Sequence, residues 1–109
     1  MQIRKTYKEI SPILLYDEIK EFVSRQGATR DQDKLETYSI PGDSSSFIYR
    51  GTLTFKTQGK EALRAHIIGS EKTETKLMLD SVDDLFPSQK IAELEDDLNF
   101  MLGSFENKM

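Results

Sequence analysis

His66 is the only histidine in this chain of 109 residues, and histidine alone has an unperturbed titration near neutrality. Acid–base or triad chemistry would have to use it, or a carboxylate shifted into that range. Ser44, Ser45 and Ser46 could supply a nucleophile, yet they follow Pro41-Gly42-Asp43 and turn chemistry accounts for them. Asp80, Asp83 and Asp84 resemble a calcium loop only in outline, because the alternation of ligands and the glycine at the sixth position are missing. There is no cysteine, hence no disulfide and no thiolate zinc site, and no phosphate-binding loop is present. No group of residues spells out a reaction. The expectation is a protein without catalytic activity, cofactor or metal.

The bulk composition narrows the classes further. The length suits a single domain over residues 1–109, large enough to bury one continuous core. A charged share of 31% with ample aromatic and β-branched residues describes a folded globular chain. The longest early apolar run, residues 13–16, is far too short for a signal peptide or a membrane span, and a cytoplasmic protein away from membranes is expected. A net charge of −4 argues against nonspecific attraction to nucleic acid, although it says nothing of how the charge is distributed.

Periodicity supplies the scaffold. Residues 2–10 alternate as a strand, with Ile3 and Tyr7 on one side and Arg4, Thr6 and Lys8 on the other. Ser11-Pro12 opens a helix in which Leu15, Ile19, Phe22 and Val23 recur at helical spacing, and Gly27 ends it. Residues 28–33 read as a polar connection without pattern. Residues 34–40 form a strand that Pro41-Gly42 turns into the clearest strand of the chain, residues 46–56. Gln58-Gly59 and then Glu71-Lys72 make two further turns, giving strands over residues 62–69 and 75–79. Asp83, Asp84 and Pro87 precede a last helix with the stripe Ile91, Leu94, Leu98, Met101, Leu102 and Phe105, and acids near its start would suit its dipole.

The order strand, helix, four strands, helix predicts an α+β two-layer sandwich with an antiparallel sheet, both helices burying their stripes on the odd-numbered strand residues from Phe47 to Leu79. Replacing Phe47, Phe55 or Leu98 by alanine should then threaten the fold. The even-numbered residues would point outward together: Arg4, Lys8, Tyr38, Ile40, Ile48, Arg50, Lys56, Arg64, His66, Ile68, Lys76 and Met78, opposed on the strands only by Glu36 and Glu74. The remaining acids concentrate in Asp80, Asp83, Asp84, Glu93, Glu95, Asp96 and Asp97. Such a face is either an ordinary solvated surface with weak cross-strand pairs or a binding surface on which cations meet carboxylates or phosphates. Its aliphatic residues favour cover by a second copy of the chain or by a protein partner.

This element order resembles one repeat of the TATA-binding-protein fold, and also a shortened helix-grip domain of the START-like kind. The first resemblance implies nucleic acid on the open sheet face, although no phenylalanine is placed outward to wedge between bases. The second implies an apolar ligand enclosed between sheet and final helix. A non-enzymatic interaction or homodimer module acting through the outer sheet face is the leading expectation, with nucleic-acid or anion binding and apolar-ligand carriage as alternatives.

Overall fold

The computed structural model describes residues 2–70 and 74–103, without the side chains at 40 and 43–46. The elements are β1 (Gln2–Lys8), α1 (Pro12–Arg25), β2 (Thr29–Ile40), β3 (Asp43–Thr57), β4 (Lys60–Gly69), β5 (Glu74–Ser81) and α2 (Ser88–Leu102). The strands form one open five-stranded antiparallel sheet in the order β1-β5-β4-β3-β2. The class is therefore α+β, in the element order the periodicity predicts. The proposed turn at Glu71-Lys72 and the stripe residue Phe105 lie outside the described residues.

Local chemistry explains the boundaries. At the start of α1 the Ser11 hydroxyl accepts from the Ile13 amide at 3.2 Å, and Pro12 occupies a first-turn position where no donor is needed. β1 ends at Lys8 instead of residue 10 because Glu9 takes a positive φ of 61°, which turns the chain toward the helix. α2 starts without a side-chain cap and with no acid in its first turn. The expectation of acids at that helix start is corrected. Asp83 and Asp84 lie in the preceding turn, where the Phe86 amide closes on the Val82 carbonyl at 2.8 Å and its ring is buried, while Asp80 belongs to β5. Lys90 instead reaches from α2 to the Gln26 carbonyl at 2.8 Å, a cation on the negative end of α1.

Of residues 28–33, only Ala28 belongs to a connection. β2 begins at Thr29, and a register shift between Arg30 and Gln32 inserts one residue, Asp31, that breaks the alternation. Its carboxylate meets the Thr54 hydroxyl at 3.5 Å and Lys56 at 3.3 Å.

The interior joins buried residues of both helices, including Leu15, Ile19, Leu94 and Leu98, to Ile3, Tyr7, Leu53, Phe55, Leu63, Ala65, Ile67, Leu77 and Leu79 of the strands. These strand residues are odd-numbered, as alternation requires, and the even-numbered Ala62 joins the core where the β3–β4 register shifts. Phe47 departs from the expectation: it is 39% exposed, whereas Phe55 is fully buried. β4 pairs with β3 only as far as Tyr49, so the end of the β2–β3 hairpin projects as a two-stranded ribbon with Tyr38, Phe47 and Ile48 exposed. Met101, assigned to the buried stripe, is likewise exposed, at the border of the stripe that buries Leu98 and Leu102.

α1 is anchored by Tyr16. A Cβ on Gly51 would stand 2.6 Å from the Tyr16 ring, so the missing side chain is what admits the ring. The Tyr16 hydroxyl donates to Asp33, whose carboxylate also faces Arg30 at 3.2 Å and Lys20 at 3.5 Å. Burial, then the Asp33 hydrogen bond, pushes the Tyr16 phenol far above its ordinary value. The same hydrogen bond, aided by Lys20 and Arg30, holds Asp33 below the usual carboxylate range against the opposing effect of burial. Gly69 is a second close approach: a Cβ there would fall onto the Glu74 carbonyl oxygen and 2.6 Å from the Thr75 Cα.

Three outcomes follow for stability. Phe55→Ala should cost about 3–5 kcal/mol in urea unfolding, as for a fully buried aromatic, while exposed Phe47→Ala should cost less than about 1 kcal/mol; equal costs would contradict the projecting ribbon. Gly69→Ala should lower the melting temperature, because the atom it meets is backbone; an unchanged temperature would contradict the close approach. Tyr16→Phe should cost about 1 kcal/mol at neutral pH. Since the folded Asp33 pKa is depressed, its contribution is present above the unfolded carboxylate value and lost as pH falls through the folded one, so the gap between wild type and Tyr16→Phe should narrow on acidification. A gap constant from pH 7 to pH 3 would exclude the ion–phenol pair as its source.

Candidate functional site

Away from the register shifts near residues 31 and 61, strand pairing places the even-numbered residues of all five strands in cross-sheet rows on one face. The first row runs Gln2, Asp80, Arg64, Thr54, Gln32; the second Arg4, Met78, His66, Thr52, Lys34; the third Thr6, Lys76, Ile68, Arg50, Glu36. Lys8 lies opposite Glu74, and Ile48 opposite Tyr38, at the far end. All ten candidate residues, Arg4, Lys8, Tyr38, Ile48, Arg50, Arg64, His66, Ile68, Lys76 and Met78, therefore belong to the outer face. The structure divides them into unequal groups.

The two ends are balanced. Arg64 stands beside Asp80 in the rows and binds Glu61 at 2.8 Å, so Asp80 lies among the outer-face residues and not on the helical side. Lys56 is engaged by Asp31. Tyr38 donates to Glu36 at 2.7 Å, and Lys34 reaches the same carboxylate at 3.7 Å. The Tyr38 bond holds Glu36 below the ordinary range and raises the phenol in return.

The two middle rows keep a surplus of positive charge, although Glu36 stands opposite Arg50, whose charge helps to hold that carboxylate low. Arg4, Arg50 and Lys76 are exposed there and have no ion-pair partner within 4 Å among the described residues. They surround apolar centres: Ile68 lies between Arg50 and Lys76, and Met78 between Arg4 and His66. Two shallow cavities open on this surface. One of about 470 Å³ is lined by Ile48, Ile68, Gly69, Ser70, Glu74 and Lys76, and one of about 430 Å³ by Arg4, Lys5, Thr6, His66, Ile68, Lys76, Leu77 and Met78. Ile68 and Lys76 belong to both, so the two adjoin along the middle rows as one groove, with Glu74 beside Lys76 in the first, Arg4 beside Lys76 in the second, and Arg50 bordering Ile68 outside both.

His66 has Thr52 and Met78 as lateral neighbours. Thr52 brings a hydroxyl beside it, and no carboxylate stands opposite it in either pairing. Among those residues, no three of His, Asp and Glu are grouped as metal ligands. The cluster at residues 44–46 falls within β3, with side chains outside the described set. What the middle rows can do chemically is hold an anionic group over an apolar contact by charge-assisted hydrogen bonds.

Two contributors escape a reading by strand pattern. Lys34, first residue of the strand expected over residues 34–40, has the parity of the outer face and joins the second row beside Thr52, a cation beyond the expected set. Lys5, on the inner side of β1, is largely buried and faces Glu95 of α2 at 3.8 Å, fixing the final helix and not the outer face. None of the described helices is long and apolar enough to cross a membrane. Comparison with protein-family models, with curated proteins and with solved structures finds no match to this chain.

Proposed function

We propose that this chain is a non-enzymatic protein-interaction module, a two-layer sandwich whose helices leave the outer sheet face free to dock an acidic, amphipathic segment of a protein. The observation that carries the reading is the register that sets Arg4, Arg50 and Lys76 around Ile68 and Met78, beside the groove that Ile68 and Lys76 line. An apolar stripe flanked by carboxylates complements both features at once, in the manner of a helix laid into a groove. Ile68 is 46% exposed at the centre of the face, an arrangement that favours cover by a partner.

The alternatives fit less well. Strand-free nucleic acid is held by aromatic platforms along a positive track, whereas the aromatic residue on this face is Tyr38, at one end and hydrogen-bonded to Glu36. Two copies meeting face to face would bring Arg4, Arg50 and Lys76 against their own equivalents, a like-charge arrangement that opposes association. Carriage of an apolar ligand needs space between helices and sheet, where Leu15, Ile19, Leu53, Phe55 and Leu94 are packed with no exposure. The resemblance in element order to TATA-binding-protein repeats and to helix-grip domains thus supports an open-surface role better than an enclosed one.

Fluorescence anisotropy tests this with two labelled helical peptides sharing one apolar stripe, one with Glu and one with Lys on the polar face, beside a mixed-sequence single-stranded oligonucleotide. The acidic peptide should bind in a salt-sensitive way, and Arg4→Glu with Lys76→Glu should weaken it about tenfold or more with unchanged circular dichroism. Preference for the oligonucleotide, or equal binding of both peptides, would overturn the reading.

A further inference from the structure

α2 carries a second feature that packing does not explain. Phe100 is 91% exposed and Met101 47% exposed, on a helix whose Ile91, Leu94, Leu98 and Leu102 are buried. Glu93, Asp96 and Asp97 precede Phe100 by seven, four and three positions, and residues so spaced share one helix face. That face is an aromatic anchor bordered by carboxylates. The outer groove is its counterpart: an apolar floor of Ile68 and Met78 bordered by Arg4, Arg50 and Lys76.

Resting on the docking role proposed for the groove, we infer that its partner is α2 of a second copy of this chain. Phe100 of one copy packs on Ile68 and Met78 of the next, and Asp96 and Asp97 pair with the cations around them. Charge complementarity selects this occupant, because the acids of α2 and the cations of the middle rows are the two segregated charge groups of the chain. The geometry also sets the kind of assembly. α2 shares a core with the odd-numbered strand residues, so its exposed face and the even-numbered groove are on opposite sides of the same molecule. No chain can fill its own groove, and two chains cannot exchange helices reciprocally. The contact is head-to-tail and extends beyond two copies unless its rotation closes a ring.

Sedimentation velocity of the full chain over a concentration series tests the inference. The wild type should grow past the mass of two chains, and salt should reverse the growth. Phe100→Asp alone, or Arg4→Glu with Lys76→Glu, should each give monomers. Mixing the two variants leaves one intact groove and one intact helix, so a one-to-one dimer that grows no further is expected. Asp96→Lys with Asp97→Lys, placed on the helix donor, should restore binding to the charge-reversed groove. A wild type that stays monomeric, a dimer that survives Phe100→Asp, or a mixture that fails to pair would overturn the inference. If the acidic peptide still binds a monomeric wild type, the groove keeps its docking role and only the second copy is excluded as partner. If the peptide fails as well, both readings fall.

Discussion

Tyr16 lies over the one position of β3 where no side chain would displace it, Gly51, and its hydroxyl reaches across to Asp33 on β2. This contact holds α1 against both strands of the long hairpin and so commits the odd-numbered residues to the interior. Because side chains alternate strictly along a strand, a commitment made at one point propagates through every paired neighbour. Leu53 and Phe55 follow Gly51 inward, Ala65 and Ile67 follow across β4, and Leu77 and Leu79 across β5. The complementary set, from Arg4 to Met78, has no freedom left but to share the other face.

On that face, sequence position and spatial role diverge. The cations near the ends are answered by neighbours, Arg64 by Glu61 and Lys56 by Asp31, and exposed pairs of this sort contribute little to stability. Arg4, Arg50 and Lys76 come from three strands far apart in sequence and acquire a common role only through pairing. They keep their charge available at the centre of the sheet, next to apolar side chains that would be better buried.

Much of this was legible in the alternation and the turn residues: the seven elements, the parity of both faces, the start of α1 at Ser11-Pro12. What was not legible has physical causes. The bulge at Asp31 destroys a period of two, so the first residues of β2 look like a loop. Parity says which way Phe47 points but not whether anything stands over it. A 14-residue helix spans about 21 Å while a 15-residue strand spans about 50 Å, so α1 cannot cover the length of β3. For the same reason helical spacing alone could not tell the buried Leu102 from the exposed Met101 beside it. Asp80 looked like part of an acidic helix start because its neighbours Asp83 and Asp84 are acidic too, yet β5 continues through it and its even parity turns it to the outer face.

The position of β1 has a bearing on how the chain is made. β2 to β5 pair with sequence neighbours and can zip as they emerge, but β1 pairs with β5, joining Gln2 to Asp80. At a translation speed of roughly 5–20 residues per second, Ile3 and Tyr7 leave the ribosome several seconds or more before their partners exist. During that interval two side chains destined for the core, on a strand with no edge to join, are open to chaperones and to premature aggregation. Arg4, Lys5 and Lys8 intersperse that segment with charge, which keeps it soluble while it waits.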